Sequence, residues 1–194
     1  MGMFTDAARY DRHAGQLGRR IYQRVVADAV AAGLPAGTRV LDVGTGPGRV
    51  PRALAAAQPT WQIEAMDVEP NMIEYARRQD PDGRVIFTVG DVAALPYPDA
   101  GFDLIVSSLS QHHWSDVPAG IRELRRVLRP DGLLWIYDLR FALRKATRTA
   151  ETVFAQVRRD PVPLTKSTWP FSLMARLCAT GLVRSTEQPQ LAER

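Results

Sequence analysis

Cysteine is almost missing from this chain of 194 residues: Cys178 stands alone. Disulfide stapling is thereby excluded, and the fold has to hold through burial of apolar side chains. Lysine is nearly as scarce. Lys145 and Lys166 are the only two, so the formal charge of +4 and the pI near 9.6 come from arginine. The pairs Arg19-Arg20, Arg125-Arg126 and Arg158-Arg159 are interleaved with Asp and Glu, which reads as solvated faces, and nucleic acid is not expected as the partner. No apolar run approaches the roughly 18 residues of a membrane span, and MGMFTDAARYDRHAG carries charges where a signal peptide has its apolar block. A soluble, cytoplasmic protein with no membrane partner is the expectation. With 45% hydrophobic residues, one sizeable core can form, as a single domain over residues 1–194.

From Arg39 onward, short apolar runs alternate with helical patterns, the mark of parallel strands joined by crossover helices. Strands are predicted at about 39–43, 62–67, 84–89, 103–108 and 133–138. Helices fall near 49–57, 70–79 and 117–129, the last stopped by Pro130-Asp131-Gly132. Ahead of them, residues 5–33 read as helical, with an apolar stripe of Ile21, Val25, Val26 and Ala29, ended by Pro35-Ala36-Gly37. Beyond the fifth strand the pattern predicts a basic amphipathic helix over 139–160 and a loop around Pro161, Pro163 and Pro170. A last helix over Phe171–Ala179 then leads through Gly181 to a short strand at 182–187. The fold class is α/β, a doubly wound, mainly parallel sheet. Such sheets bind ligands at the carboxyl ends of their strands, where Asp42, Asp67, Asp91, Ser108 and Asp138 all fall.

Residues 40–51 read VLDVGTGPGRVP, a strand that delivers a carboxylate into Gly44, Gly46 and Gly48. A turn of this kind lets the backbone approach a ligand closely and leaves N–H groups pointing outward. A nicotinamide-binding domain opens in a similar way, but three details separate the two. The third glycine comes one residue earlier than G-x-G-x-x-G requires. Asp42 stands where it would repel a pyrophosphate and could attract an ammonium group. Asp91 heads a further segment, GDVAALPYPDAGFD, for which a dinucleotide fold has no need.

These segments resemble the class I S-adenosylmethionine-dependent methyltransferases, specifically the small-molecule branch called methyltransferase type 11. The resemblance runs from about Tyr10 to Leu182. It rests on VLDVGTGPGRV (40–50), IEAMDVEPNMIEYAR (63–77), VGDVAALPYPDAGFDLIVSS (89–108), HHW (112–114) and LRRVLRPDGLLWIYD (124–138), in this order and spacing. It implies a Rossmann-like fold with S-adenosylmethionine as cofactor and no metal. The amino acid end of that molecule would lie on Gly44, Gly46 and Gly48 with its ammonium toward Asp42. Asp67, with two oxygens for two hydroxyl donors, is assigned to the ribose diol. Val68 and Met72 flank the adenine, with Met66 a core candidate. Asp91 accepts from the adenine amino group and the Val92 backbone serves the ring. Ser108, at the end of the fourth strand, is a further cofactor-binding candidate.

Methyl transfer is an in-line displacement from a sulfonium, so alignment and water exclusion come first, with a base added when the acceptor must lose a proton. Gln111, His112, His113 and Trp114 follow the fourth strand, and His112 or His113 is the candidate base. No N-P-P-Y-like turn stands here, and Cys178 lies far from the expected site. The acceptor is then a small molecule methylated on oxygen, nitrogen or carbon. In the family an N-terminal segment, here residues 1–36 with Tyr10 and His13, folds over the cofactor core at 37–138, while 139–194 supplies the other substrate wall. Tyr10 and Trp114 are the candidate substrate contacts. One departure stands out. Most members complete seven strands, but the polar ending Glu187 to Arg194 predicts that the full antiparallel seventh is lacking, leaving an edge open to a homodimer. An RNA methyltransferase using the basic 139–160 segment, or a cofactor-binding module without turnover, are the alternative functions.

Overall fold

Five apolar runs become the strands β1 (Arg39–Val43), β2 (Gln62–Asp67), β3 (Val85–Val89), β4 (Phe102–Ser108) and β5 (Leu128–Leu139). All four contacts among them are parallel. Their central members are buried on both faces, which is why they read as near-continuous Val, Ile and Leu. The computed structural model describes residues 7–13, 15–163 and 172–182. Helices α1 (Ala7–His13), α2 (Gly15–Ala31), α3 (Arg49–Ala57), α4 (Pro70–Arg78), α5 (Val117–Val127) and α6 (Leu143–Val153) connect and cover the strands. The stripe Ile21, Val25 and Ala29 of α2 packs with Val50, Leu54, Ile73 and Ala76 of α3 and α4 on one face of the sheet. Ile121, Leu124 and Val127 of α5 and Leu143, Ala146 and Ala150 of α6 cover the other. Among the described residues no helix is long and apolar enough to cross a membrane.

The described strands form a seven-stranded sheet in the order β3-β2-β1-β4-β5-β7-β6, which corrects the expectation of a missing seventh strand. β6 (Phe154–Pro161) occupies the end of the predicted 139–160 helix, and β7 (Met174–Leu182) replaces the predicted helix at 171–179. β7 runs antiparallel between β5 and β6, from Leu139↔Met174 to Leu133↔Thr180 on the β5 side. Met, Leu, Ala and Arg are good helix formers, and their propensity misled; burial decides instead. Ala175, Leu177 and Ala179 point to one core and Met174 and Cys178 to the other. Such two-sided burial, with Met174, Leu177 and Cys178 at helical spacing, imitates a helix stripe. Among the described residues no edge is left open by a missing seventh strand, for β5 pairs with β7 and β7 with β6. The outer edge is β6, blunted by exposed Gln156, Arg158 and Arg159. The predicted strand at 182–187 lies, past Leu182, outside the described residues, as does the terminal Glu187 to Arg194.

The turn expected at Pro130-Asp131-Gly132 is absorbed into β5 as an irregular bulge, for the pairing shifts from Phe102↔Leu128 to Leu104↔Leu133. Helix α5 ends before it, at Val127, and is capped at its start by Asp116, which accepts from the Ala119 N–H at 2.9 Å. The strand order reverses between β1 and β4. At such a switch point the connections leave in opposite directions, opening a crevice above the carboxyl ends.

Candidate functional site

A cavity of about 370 Å³ occupies that crevice, a size suited to a small molecule. Gly44 and Gly46 come from the turn after β1, Asp67, Val68, Glu69 and Met72 from the end of β2 and the start of α4, and Asp91 and Val92 from the loop after β3. Leu109, Ser110, His113, Trp114 and Ser115, after β4, and Tyr10 of α1 complete the lining. The structure thus brings together ten of the residues singled out in sequence. Asp42, Gly48, Ser108 and His112 are not among those lining the cavity.

The three glycines do different work. Gly44, Gly46 and Gly48 all have positive φ, at 69°, 54° and 73°, which favours glycine at each. A Cβ on Gly46 would meet nothing closer than Tyr10 at 3.9 Å, so this position borders open cavity. On Gly48 it would run into Ala76 and Phe87, at 2.9 Å each, which makes Gly48 the packing contact of the turn against α4 and β3. On Gly44 it would lie 2.0 Å from Ser110 Oγ.

Asp67 is not a bare carboxylate awaiting a ligand. Its Oδ2 accepts the Gly46 N–H at 2.7 Å and its Oδ1 the Glu69 N–H at 3.0 Å. It therefore ties the glycine turn to the β2–α4 loop while keeping further lone pairs toward the cavity. Burial raises its pKa against the pull of these two N–H donors. Asp42 lies beneath the turn, 1% exposed. Thr45 donates to its Oδ2 at 2.6 Å, and its Oδ1 has no protein partner. Burial first, and then the charge of Asp67, push its pKa up to about 7 against the Thr45 hydrogen bond. Asp91 is exposed at the rim and accepts from the Ala93 N–H at 2.9 Å.

The part of the lining after β4 hangs on a 3₁₀ turn, Gln111–His113. Leu109 enters it at φ 53°, a left-handed conformation that costs a non-glycine residue of order 1 kcal/mol or more and that often marks a functional turn. Asp138, fully buried at the end of β5, accepts the His112 ring at Nδ1 (2.8 and 3.0 Å), the His112 N–H (3.1 Å) and the Leu139 N–H (2.7 Å). The carboxylate fixes His112 with its proton on Nδ1. The His113 ring lies against it, centroids 3.9 Å apart, and borders the cavity. Burial, reinforced by the neighbouring His112, lowers the His113 pKa, with Asp138 pulling the other way. His113 is thereby a neutral imidazole near pH 7, the form that accepts a proton. Among the described residues no cluster of metal-ligating side chains occurs.

Asp11 bolts α1 to this site. Its carboxylate receives Arg49 of α3 and, at 3.0 Å, the Tyr75 hydroxyl of α4. Tyr10 is held beside Gly46, with its oxygen hydrogen-bonded to Tyr22. The His13 side chain lies outside the described residues. Sequence reasoning missed Glu69, Leu109, Ser110 and Ser115, which line the cavity. Only Glu69, in the loop directly after Asp67, had a positional signal.

Residues 41–136 match the family of methyltransferase domains. The chain is 37% identical over 133 residues to the malonyl-[acyl-carrier protein] O-methyltransferase of Halorhodospira halophila, covering 66% of this chain and 43% of that protein. It is 38% identical over 117 residues to the 27-O-demethylrifamycin SV methyltransferase of Amycolatopsis mediterranei, covering 57% and 43%. The chain thus spans less than half the length of these relatives. Its fold is that of an S-adenosylmethionine-dependent methyltransferase from Aquifex aeolicus, at 21% identity, with a TM-score of 0.69 over 90% of this chain and 97% of that one.

Proposed function

The core of this chain belongs to the class I S-adenosylmethionine-dependent methyltransferases, and on that footing we propose that the protein transfers a methyl group to a hydroxyl oxygen of a small molecule. The residues present fit the cofactor. The unfilled space over Gly46, with the Asp67 carboxylate at the cavity and the buried Asp42 carboxylate beneath the turn, suits an ammonium-bearing ligand without phosphates. Asp67 holds the ribose diol, Val68, Met72 and Val92 the adenine faces, and Asp91 its amino group. Gly44 and Gly46 receive the amino acid end through backbone, while Gly48 and Ser108 support the turn and the strand end from behind. When bound, the cofactor supplies a methyl group on a sulfonium, a good leaving group.

The chain has to align the acceptor, exclude water and take one proton. Tyr10 closes the cavity over Gly46, carried on a helix that Asp11 ties to Arg49 and Tyr75. Trp114 and Leu109 form the apolar side of the acceptor wall. His113 takes the acceptor's proton, and His112 with Asp138 holds its ring in place. The observation that carries this reading is an imidazole, His113, on the cavity wall, stacked on an oriented His112–Asp138 pair, in the same cavity as the Asp67 carboxylate and the glycine turn. The names of the two relatives, both acting at oxygen, support the choice of acceptor atom. The test is incubation with methyl-labelled S-adenosylmethionine and a small-molecule extract. Label is expected in an extract component that mass spectrometry identifies as an O-methyl ether and that keeps its label in base, unlike a methyl ester. Binding of cofactor with no transfer to any extract component, or transfer only to RNA, would contradict the proposal.

A further inference from the structure

The two walls of the cavity meet at a single hydroxyl. Ser110 Oγ accepts the indole N–H of Trp114 at 3.1 Å, donates to the Val43 carbonyl at 3.3 Å and lies 3.1 Å from Ser107 Oγ. It also stands in the space that any side chain on Gly44 would need. Val43, Gly44 and Trp114 all line the cavity, the first two on the side proposed above for the cofactor and Trp114 on the side proposed for the acceptor. The far side of the indole is equally fixed. A Cβ on the buried Gly120 of α5 would lie 3.0 Å from Trp114 Cε3 and 3.3 Å from both Cζ3 and Val92 Cγ1, so glycine is what lets the ring settle there.

We propose that Ser110 is a positioning residue that couples the cofactor turn to the acceptor wall, and that Trp114 meets the acceptor with an apolar π surface. The first half follows from proton counting. Ser110 has one hydroxyl proton and two neighbours for it, the Val43 carbonyl and Ser107 Oγ. A cationic group drawn to the carbonyls of the turn competes for Val43, the Ser110 proton turns to Ser107, and the lone pair offered to Trp114 turns with it. The second half follows from the indole's single N–H, which is spent on Ser110 and has no second hydrogen bond to give. An acceptor is then gripped there by an aromatic or aliphatic face and selected against when it presents only hydroxyls.

This inference rests on the cofactor site proposed above, and a double-mutant cycle separates the two. S-adenosylhomocysteine is titrated into wild type, Ser110→Ala, Trp114→Phe and the double variant by calorimetry, with tryptophan emission followed in parallel. Each single substitution is expected to weaken binding about three-fold or more, and the double variant no further than Ser110→Ala alone, because Trp114 acts through Ser110. Wild type is expected to change its emission on binding, and that change should vanish in both Trp114→Phe and Ser110→Ala. If Ser110→Ala misfolds by circular dichroism, Ser110→Cys, which keeps the volume and weakens the hydrogen bond, takes its place in the cycle. Additive effects, or a Trp114→Phe variant that binds like wild type, overturn the coupling. A wild type that does not bind S-adenosylhomocysteine overturns the cofactor reading and the coupling together.

Discussion

The two walls of the cavity are built by different means. On the side proposed for the cofactor the contacts are largely backbone to carboxylate: Gly46 and Glu69 N–H groups to Asp67, and Ala93 N–H to Asp91, with Thr45 on Asp42 the side-chain exception. On the acceptor side they are largely side chain to side chain, as in His112 on Asp138, Trp114 on Ser110, and Ser110 on Ser107. A backbone-lined wall is insensitive to which side chains surround it, whereas a side-chain network changes whenever one member does. The first therefore suits a ligand common to many enzymes, and the second an acceptor peculiar to one.

The largest effect that would sharpen this contrast lies on the acceptor side. His113→Ala should lower turnover by about 10²–10⁴, the usual contribution of a general base, while leaving the affinity for S-adenosylhomocysteine unchanged. The pH profile adds a direction. In the proposed mechanism His113 works as the neutral ring, and burial together with His112 lowers its pKa from 6.5. The wild-type rate should accordingly rise with pH through a value below that of an ordinary histidine and be flat at neutrality. Asp138→Asn removes the charge that opposes this lowering, so the rising limb should move to still lower pH. A limb that stays in place in Asp138→Asn, or full turnover in His113→Ala, would reduce these histidines to walls.

On the cofactor side, Gly44→Ala should cost about 3 kcal/mol or more of stability, because the new Cβ adds a left-handed φ to a collision with Ser110. Gly46→Ala faces only open cavity, so it should cost about 1–2 kcal/mol of stability from the backbone alone and act mainly on ligand binding. Chemical denaturation of both variants checks the order, and equal losses would break the distinction between a packed and a lining glycine.

The smallest effect concerns Asp42. Its pKa is raised to about 7 by burial, so the folded state keeps a proton that the unfolded chain releases near pH 4. The associated stability is present below about pH 4 and is lost as pH rises through 7. Asp42→Asn should therefore melt a few degrees above wild type at pH 8, with the gap closing toward pH 4. A gap independent of pH would place the proton elsewhere.

This division also accounts for what could be read from the sequence. Asp42, the glycine turn, Asp67 and Asp91 sit within a few residues of strand ends, and strands such as Arg39–Val43 and Gln62–Asp67 were legible in their apolar runs. The Asp138 partner of His112 lies 26 residues away and was visible only as one more strand-end acid. Ser110 carried no signal, since its role depends on a missing side chain at Gly44 and on an indole four residues later. Residues 154–182 failed for another reason: β7 is covered on both faces, and its mixture of Leu, Met, Ala and Arg has neither the alternation nor the β-branching that marks a strand.

The central claim is that Asp67 and the glycine turn form a site for a ribose and an ammonium group without phosphates. Calorimetric titration of wild type and Asp67→Asn with S-adenosylhomocysteine and with NAD tests it most directly. Wild type should bind S-adenosylhomocysteine and not NAD, and Asp67→Asn should lose about 1.5–3 kcal/mol, the worth of hydrogen bonds to a charged acceptor. Equal affinity of the two proteins for S-adenosylhomocysteine, or tight binding of NAD by wild type, would contradict the account.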